Sequence, residues 1–103
     1  MIRDLTALQE LICPYNENLD KLPKLPDGLK ALYCYNTQIH ELPKLPDGLQ
    51  ELNCSNTQIH DLPKLPDGLQ VLDCFNTPAA ENPEVRRRLE EFKKNHPGAR
   101  IHY

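Results

Sequence analysis

The sequence predicts an α/β solenoid with a parallel sheet on its concave side, an extended convex side and a C-terminal αβ cap. Three observations carry that expectation. The chain repeats itself at a period of 20 residues, its four cysteines recur once per period, and the period breaks only after residue 77. A fixed period of this length marks units that bury their apolar faces against one another. With 103 residues, 39% of them hydrophobic, no Trp and six aromatics, the chain is short of filling for a multilayer globule. A thin, repeated core in a single domain over 1–103 is the economical solution.

Taken in order, residues 1–21 form a degenerate first unit, in which Leu8, Leu11 and Cys13 keep the L-x-x-L-x-C core. Units 22–41, 42–61 and 62–81 follow, reading LPKLPDGLKALYCYNTQIHE, LPKLPDGLQELNCSNTQIHD and LPKLPDGLQVLDCFNTPAAE. Strand alternation around Leu32 and Cys34 points those two side chains inward, and Ala31, Tyr33 and Tyr35 outward. Gly28, Gly48 and Gly68, each after Asp, are expected to make the turn into the strand with a positive φ. The prolines of L-P-K-L-P hold the return segment extended and exclude a helix there. In 82–103, Asn82 is placed to cap a helix with Pro83 in its first turn, and Val85, Leu89 and Phe92 share one face. A strand over 70–75, a helix over 83–95 and a strand over 99–103 then make a right-handed crossover, which adds a fifth parallel strand and closes the core.

Leu29, Leu32, Cys34, Thr37 and Ile39 follow the pattern L-x-x-L-x-L-x-x-N-x-L, with Cys in place of the third Leu and Thr in place of Asn. On these residues the chain resembles the leucine-rich repeat family over about residues 5–82. The LPxLP opening and short period are similar to the bacterial subclass found in secreted effectors of animal and plant pathogens. Similar repeats with Cys in the strand occur in giant-virus proteins. The resemblance implies a right-handed leucine-rich repeat solenoid and an effector or inhibitor that binds a target protein. Some such effectors carry a ubiquitin-ligase domain as well, for which the residues after the repeats leave no room.

The differences between units locate the expected binding surface. Units 22–41 and 42–61 match at 15 of 20 positions, differing at Lys30/Gln50, Ala31/Glu51, Tyr33/Asn53, Tyr35/Ser55 and Glu41/Asp61. Three of those five are outward strand positions, and the same three change again to Val71, Asp73 and Phe75. The outward columns are Glu10, Ala31, Glu51, Val71; Ile12, Tyr33, Asn53, Asp73; and Pro14, Tyr35, Ser55, Phe75. Partner binding is therefore assigned to Ile12, Tyr33, Tyr35, Asn53, Ser55, Val71, Asp73 and Phe75, with the aromatics as anchors. The alternative is a self-associating structural repeat unit, in which the same aromatics meet their own copies.

Other chemistry finds less footing. Cys13, Cys34, Cys54 and Cys74 are spaced by 21, 20 and 20 residues and should lie in the core as small hydrophobes, without disulfides or metal. Reduced cysteines suit a cytoplasmic location. His40 and His60 share a register but make only two ligands, and Thr37, Thr57 and Thr77 are read as structural hydroxyls. No G-x-S-x-G, H-E-x-x-H or phosphate-binding glycine loop occurs, so neither an enzyme nor a cofactor is expected. Net charge is −3, with six Lys/Arg and three acids in 83–103 against six and twelve before it. No nucleic acid and no membrane partner is expected from that balance. Glu84/Arg88 and Glu90/Lys94 should pair along the helix, and Arg100 or His102 should come beside Asp73. Met1–Ile12 lacks the apolar run of a secretory signal, so the expected protein is a cytoplasmic monomer, with non-classical export into a host cell left open.

Overall fold

The computed structural model describes residues 10–12 and 21–103, so the expectations for Cys13, Pro14 and the rest of the first unit lie outside the described residues. Strands β1 (Glu10–Ile12), β2 (Ala31–Tyr33), β3 (Glu51–Asn53), β4 (Val71–Asp73) and β5 (Arg100–His102) form one parallel sheet in sequence order. Two helices, α1 (Pro78–Glu81) and α2 (Pro83–Asn95), lie between β4 and β5. Each step across the repeats advances the register by one period, Ala31 facing Glu51 and Glu51 facing Val71. Leu11, Leu32, Leu52, Leu72 and Ile101 therefore share one row, and all five are buried.

Further rows fill the space behind the sheet. Leu29, Leu49 and Leu69 form one, and Ile39 and Ile59 another that Ala79 completes; all are buried. The backbone ladder continues past the strands, since Gln50 and Gln70 N–H groups donate one unit back, to Lys30 and Gln50 carbonyls at 2.7 Å. The segments between Leu22 and Leu29, and their copies, are neither helix nor strand, as their prolines require.

The turn chemistry differs from the expectation. The Leu29, Leu49 and Leu69 N–H groups each close a turn on the proline carbonyl three residues back, at 3.1 Å, but no glycine has a positive φ. The left-handed residues are Asn36, Asn56 and Asn76, with φ of 59°, 57° and 56°. Asparagine tolerates that region better than other side chains do, and it lets Asn36 N–H reach Ser55 O at 3.0 Å. The turn through Asp47 and Gly48 asks nothing special of glycine, because an added Cβ there meets nothing within 4 Å. Gly48→Ala is accordingly expected to stabilise the fold by about 0.4–1 kcal/mol through the unfolded chain. A lower urea midpoint in that variant would contradict it.

Thr37, Thr57 and Thr77 are buried, and each hydroxyl donates to the carbonyl of Cys34, Cys54 or Cys74 at 2.7–2.8 Å within its own unit. The Thr hydroxyls are thus structural, and each acts three residues back along the chain. Pro78 then changes the ladder. Gln58 N–H donates to Ile39 O, but proline has no N–H at the equivalent place, so Ala79 N–H makes the bond to Ile59 O at 3.0 Å. Thr77 caps the short helix α1 that follows, its oxygen accepting from Ala80 N–H at 3.2 Å.

Helix α2 has the bounds the sequence predicts. Asn82 Oδ1 accepts from Glu84 N–H at 3.0 Å, Pro83 stands first in the helix, and Val85 and Leu89 are buried. The expected Glu84/Arg88 pair does not form. Glu84 pairs with Arg87 at 2.8 Å, while Arg88 reaches back to the repeats, pairing with Asp61 and donating to Leu62 O at 3.1 Å. The guanidinium finds there a carboxylate and a return-segment carbonyl together, which Glu84 alone could not match.

Candidate functional site

The outer face of the sheet gathers most of the residues expected to bind a partner. Because the strands are three residues long and pair in parallel register, 20 residues apart from β2 to β4, Ile12, Tyr33, Asn53, Asp73 and His102 form one transverse row. Glu10, Ala31, Glu51, Val71 and Arg100 form the row beside it. Ile12 is 60% exposed and Phe75 47%, and these are the exposed large hydrophobic side chains among the described residues. Tyr33, Tyr35, Asn53, Val71 and Asp73 are half-buried.

Ser55 departs from its assignment. Its residue is 1% exposed, so it offers no ready contact to a partner. A serine between Tyr35 and Phe75, one unit away on either side, is the shortest side chain of the three and sinks beneath the level of its neighbours. Ala31 is buried for the same reason, at 3% exposure between two glutamates. The relief of this face follows side-chain length, which strand alternation alone does not convey.

Electrostatics divide the face. At the β1–β3 side, the Tyr33 phenol is pushed up from its ordinary pKa by partial burial, by its hydrogen bond to Glu51, and by the charges of Glu51 and Glu10. At the β5 side, His102 Nδ1 lies 2.6 Å from Asp73 Oδ1, as the parallel register of β5 anticipates. Arg100 beside Val71 adds a cation to this edge. Asn53 Oδ1 accepts from Ser55 N–H at 3.1 Å, which fixes the amide between these two ends.

Behind the sheet, Cys34, Cys54 and Cys74 are buried and form no disulfide. Burial, and then the neighbouring Cys34 and Cys74, pushes the Cys54 thiol well above its ordinary pKa, and burial with the Asp73 charge takes Cys74 from 9.0 to about 11. The folded chain therefore holds thiol protons that the unfolded chain releases. Stability from these thiols is complete below pH 9 and falls as pH rises toward 11. A urea midpoint that declines between those pH values, with a shallower decline in Cys74→Val, is the expected result.

Among the described residues no group of three or more His, Cys, Asp or Glu is placed to hold a metal ion, and His40 and His60 stay at the exposed edge of their units. The basic residues of the cap are largely engaged. Arg86 donates to Ala80 O at 2.9 Å and lies 5.1 Å from the Tyr103 ring centroid, and Arg88 is held by Asp61. Sequence reasoning missed a groove of about 450 Å³ between the 62–67 segment and α2, where Phe92 stacks on His96 with ring centroids 4.0 Å apart. The i, i+4 spacing of those two rings was the available signal. Among the described residues no helix is long and apolar enough to cross a membrane. A comparison with protein-family models and with curated proteins finds no match to the chain.

Proposed function

We propose that this chain is a leucine-rich repeat solenoid that binds a partner protein, without catalysis, on the outer face of its sheet. One observation carries the reading: both exposed large hydrophobic side chains among the described residues, Ile12 and Phe75, belong to the columns in which the repeats differ from one another. Buried rows are copied from unit to unit, whereas this face has been varied on a constant frame. Tyr33 and Tyr35 add aromatic area at small entropic cost. The corresponding biological role is an effector or inhibitor acting on a target protein in the cytoplasm, as a monomer.

Affinity enrichment from a cytosolic lysate tests the reading, with the natural chain compared against a folded Tyr33→Ala, Tyr35→Ala, Phe75→Ala variant. A protein retained by the first and lost by the second is the expected result. Identical profiles, with a monomer in sedimentation, would overturn the assignment. Self-association would show instead as sedimentation that depends on concentration and is abolished by the same variant.

A further inference from the structure

Beyond partner binding, and independently of it, we infer that His102 is a nucleophilic histidine whose Nε2 accepts a phosphoryl group from a phosphoramidate, a donor in which phosphorus is bonded to nitrogen. The inference starts from the hydrogen bond between β4 and β5, where His102 Nδ1 lies 2.6 Å from Asp73 Oδ1. An ionised carboxylate only accepts, so Nδ1 donates its proton there, and in the neutral ring the lone pair is left on Nε2. The Asp73 side chain is 23% exposed and that of His102 61%. The carboxylate is seated in the sheet face while the ring stands out from it, open to a reagent in solution. Backbone bonds fix the arrangement at both ends, since Arg100 N–H donates to Gln70 O at 2.8 Å and Cys74 N–H to His102 O at 2.9 Å.

The other three histidines of the chain lack this arrangement. His96 spends Nδ1 on the Phe92 carbonyl at 3.0 Å and lies stacked on the Phe92 ring. Its Nε2 has the Asp67 carboxylate 3.7 Å away, which repels an anionic donor from the very atom that would attack it. His40 and His60 are exposed at the edge of their units, and neither side chain has a hydrogen bond or ion pair among the described residues. Their rings are accessible, but nothing holds the tautomer or awaits the positive charge that attack creates.

Asp73 supplies charge where charge develops. As the Nε2 lone pair attacks phosphorus, the new N–P bond forms and the bond to the donor nitrogen breaks. That nitrogen, already protonated in phosphoramidate, takes the bonding pair and leaves as ammonia. The imidazole becomes cationic with Nδ1 keeping its proton, and the carboxylate already in place stabilises that cation. One N–P bond is exchanged for another, so the transfer calls on no further co-reactant. The transferred group is itself an anion, which Asp73 alone would repel, and Arg100 offsets this. It points outward from the same strand two residues before His102, about 6.6 Å along the backbone. Its side chain is exposed, has no hydrogen bond or ion pair among the described residues, and stands beside the apolar Val71 rather than a carboxylate. A guanidinium on its long stem spans that distance to the phosphoryl oxygens.

The test incubates the full chain with potassium phosphoramidate at neutral pH. Intact mass follows the gain of phosphoryl groups, peptide fragmentation locates them, and NMR of nitrogen-labelled chain identifies the ring nitrogen. The expected product carries one acid-labile phosphoryl group on His102 Nε2, formed about fivefold or more faster than on His40, His60 or His96. Asp73→Asn retains the shape and copies Asn53, its register partner one unit back. Its amide N–H donates to Nδ1, however, and moves the ring proton onto Nε2, so the His102 rate should fall about tenfold. Arg100→Gln should slow it about threefold, with circular dichroism unchanged in both variants. A merely structural pair would instead lower the urea midpoint in Asp73→Asn and leave the rate alone. Labelling of His102 no faster than of His40 and His60, phosphate on Nδ1, an undiminished rate in Asp73→Asn, or no labelling at all would each overturn the inference. The readout is a covalent product rather than a captured protein, so its failure leaves the sheet-face reading standing.

Discussion

Leu52→Ala is expected to cost about 2–5 kcal/mol, a large part of the roughly 5–15 kcal/mol that holds a domain of this size together. Leu52 is 1% exposed and stands in register between Leu32 and Leu72. Removing it leaves a cavity that neither neighbour can fill, because each is fixed by its own strand. Leu52 is the link between Leu32 and Leu72 in this row, so its loss interrupts the row between the second and fourth strands. Ile101→Ala is the comparison. Ile101 belongs to the same row but lies on β5, with a strand on one side only and 8% of its surface exposed. Urea unfolding should give a smaller loss there than at Leu52, with an unchanged slope in both variants. An equal or greater loss at Ile101 would mean that the row does not carry the stability assigned to it.

Asn56→Val is expected to cost about 2–3 kcal/mol. Of this, about 1–2 is the left-handed backbone at φ 57°, which a β-branched side chain resists. The remainder is the exposed hydrogen bond in which the Asn76 amide donates to Asn56 Oδ1, worth about 0.5–1.5 kcal/mol. Asn56→Gly separates the two contributions, since glycine keeps the backbone and loses only the bond. Its loss should stay within about 1.5 kcal/mol. Equal stability of the valine and glycine variants would remove backbone conformation as the reason for asparagine at this place.

Much of the architecture could be read before any coordinates, for a specific reason. Once Leu32, Cys34 and Ile39 recur one period on as Leu52, Cys54 and Ile59, stacking them is the only way to bury all of them, and that fixes strand order and register. Helix α2 was legible because Asn82 and Pro83 are a local signal that needs no tertiary partner. The errors arose where the outcome depends on a neighbour or on two competing local solutions. Both Asn and Gly accept positive φ, and the sequence does not say which of Asn56 or Gly48 is asked to. Arg88 had a good local partner in Glu84 and a better distant one in Asp61. Thr77-Pro78 signals the start of α1, but four residues are too few to show a period.

On the candidate site, alternation assigned Ile12, Tyr33, Asn53, Asp73 and Phe75 to the outer face, and it did so without knowing their heights. The burial of Ser55 and Ala31 came from the size of what stands beside them, one unit's worth of sequence away on either side. A fifth parallel strand left either Arg100 or His102 to stand beside Asp73, since both registers bury Ile101, and the structure selects His102. The Glu51 hydrogen bond of Tyr33 was not foreseeable, since it runs between adjacent rows and depends on rotamers.

The hand-over of the ladder at Pro78 bears on how such a chain can change its length. The joints between the full repeats before it are interchangeable: Gln50 bonds to Lys30 as Gln70 bonds to Gln50, at 2.7 Å in each case. A spare copy of 42–61 spliced in after Asp61 would find matching donors and acceptors on both sides and lengthen the sheet by about 4.8 Å. The same copy placed after Pro78 would not, for the bond there has already moved one residue along, to Ala79. Growth is thus open upstream of a single proline and shut beyond it, and the reach of the varied face becomes a quantity that gene duplication can adjust in equal steps.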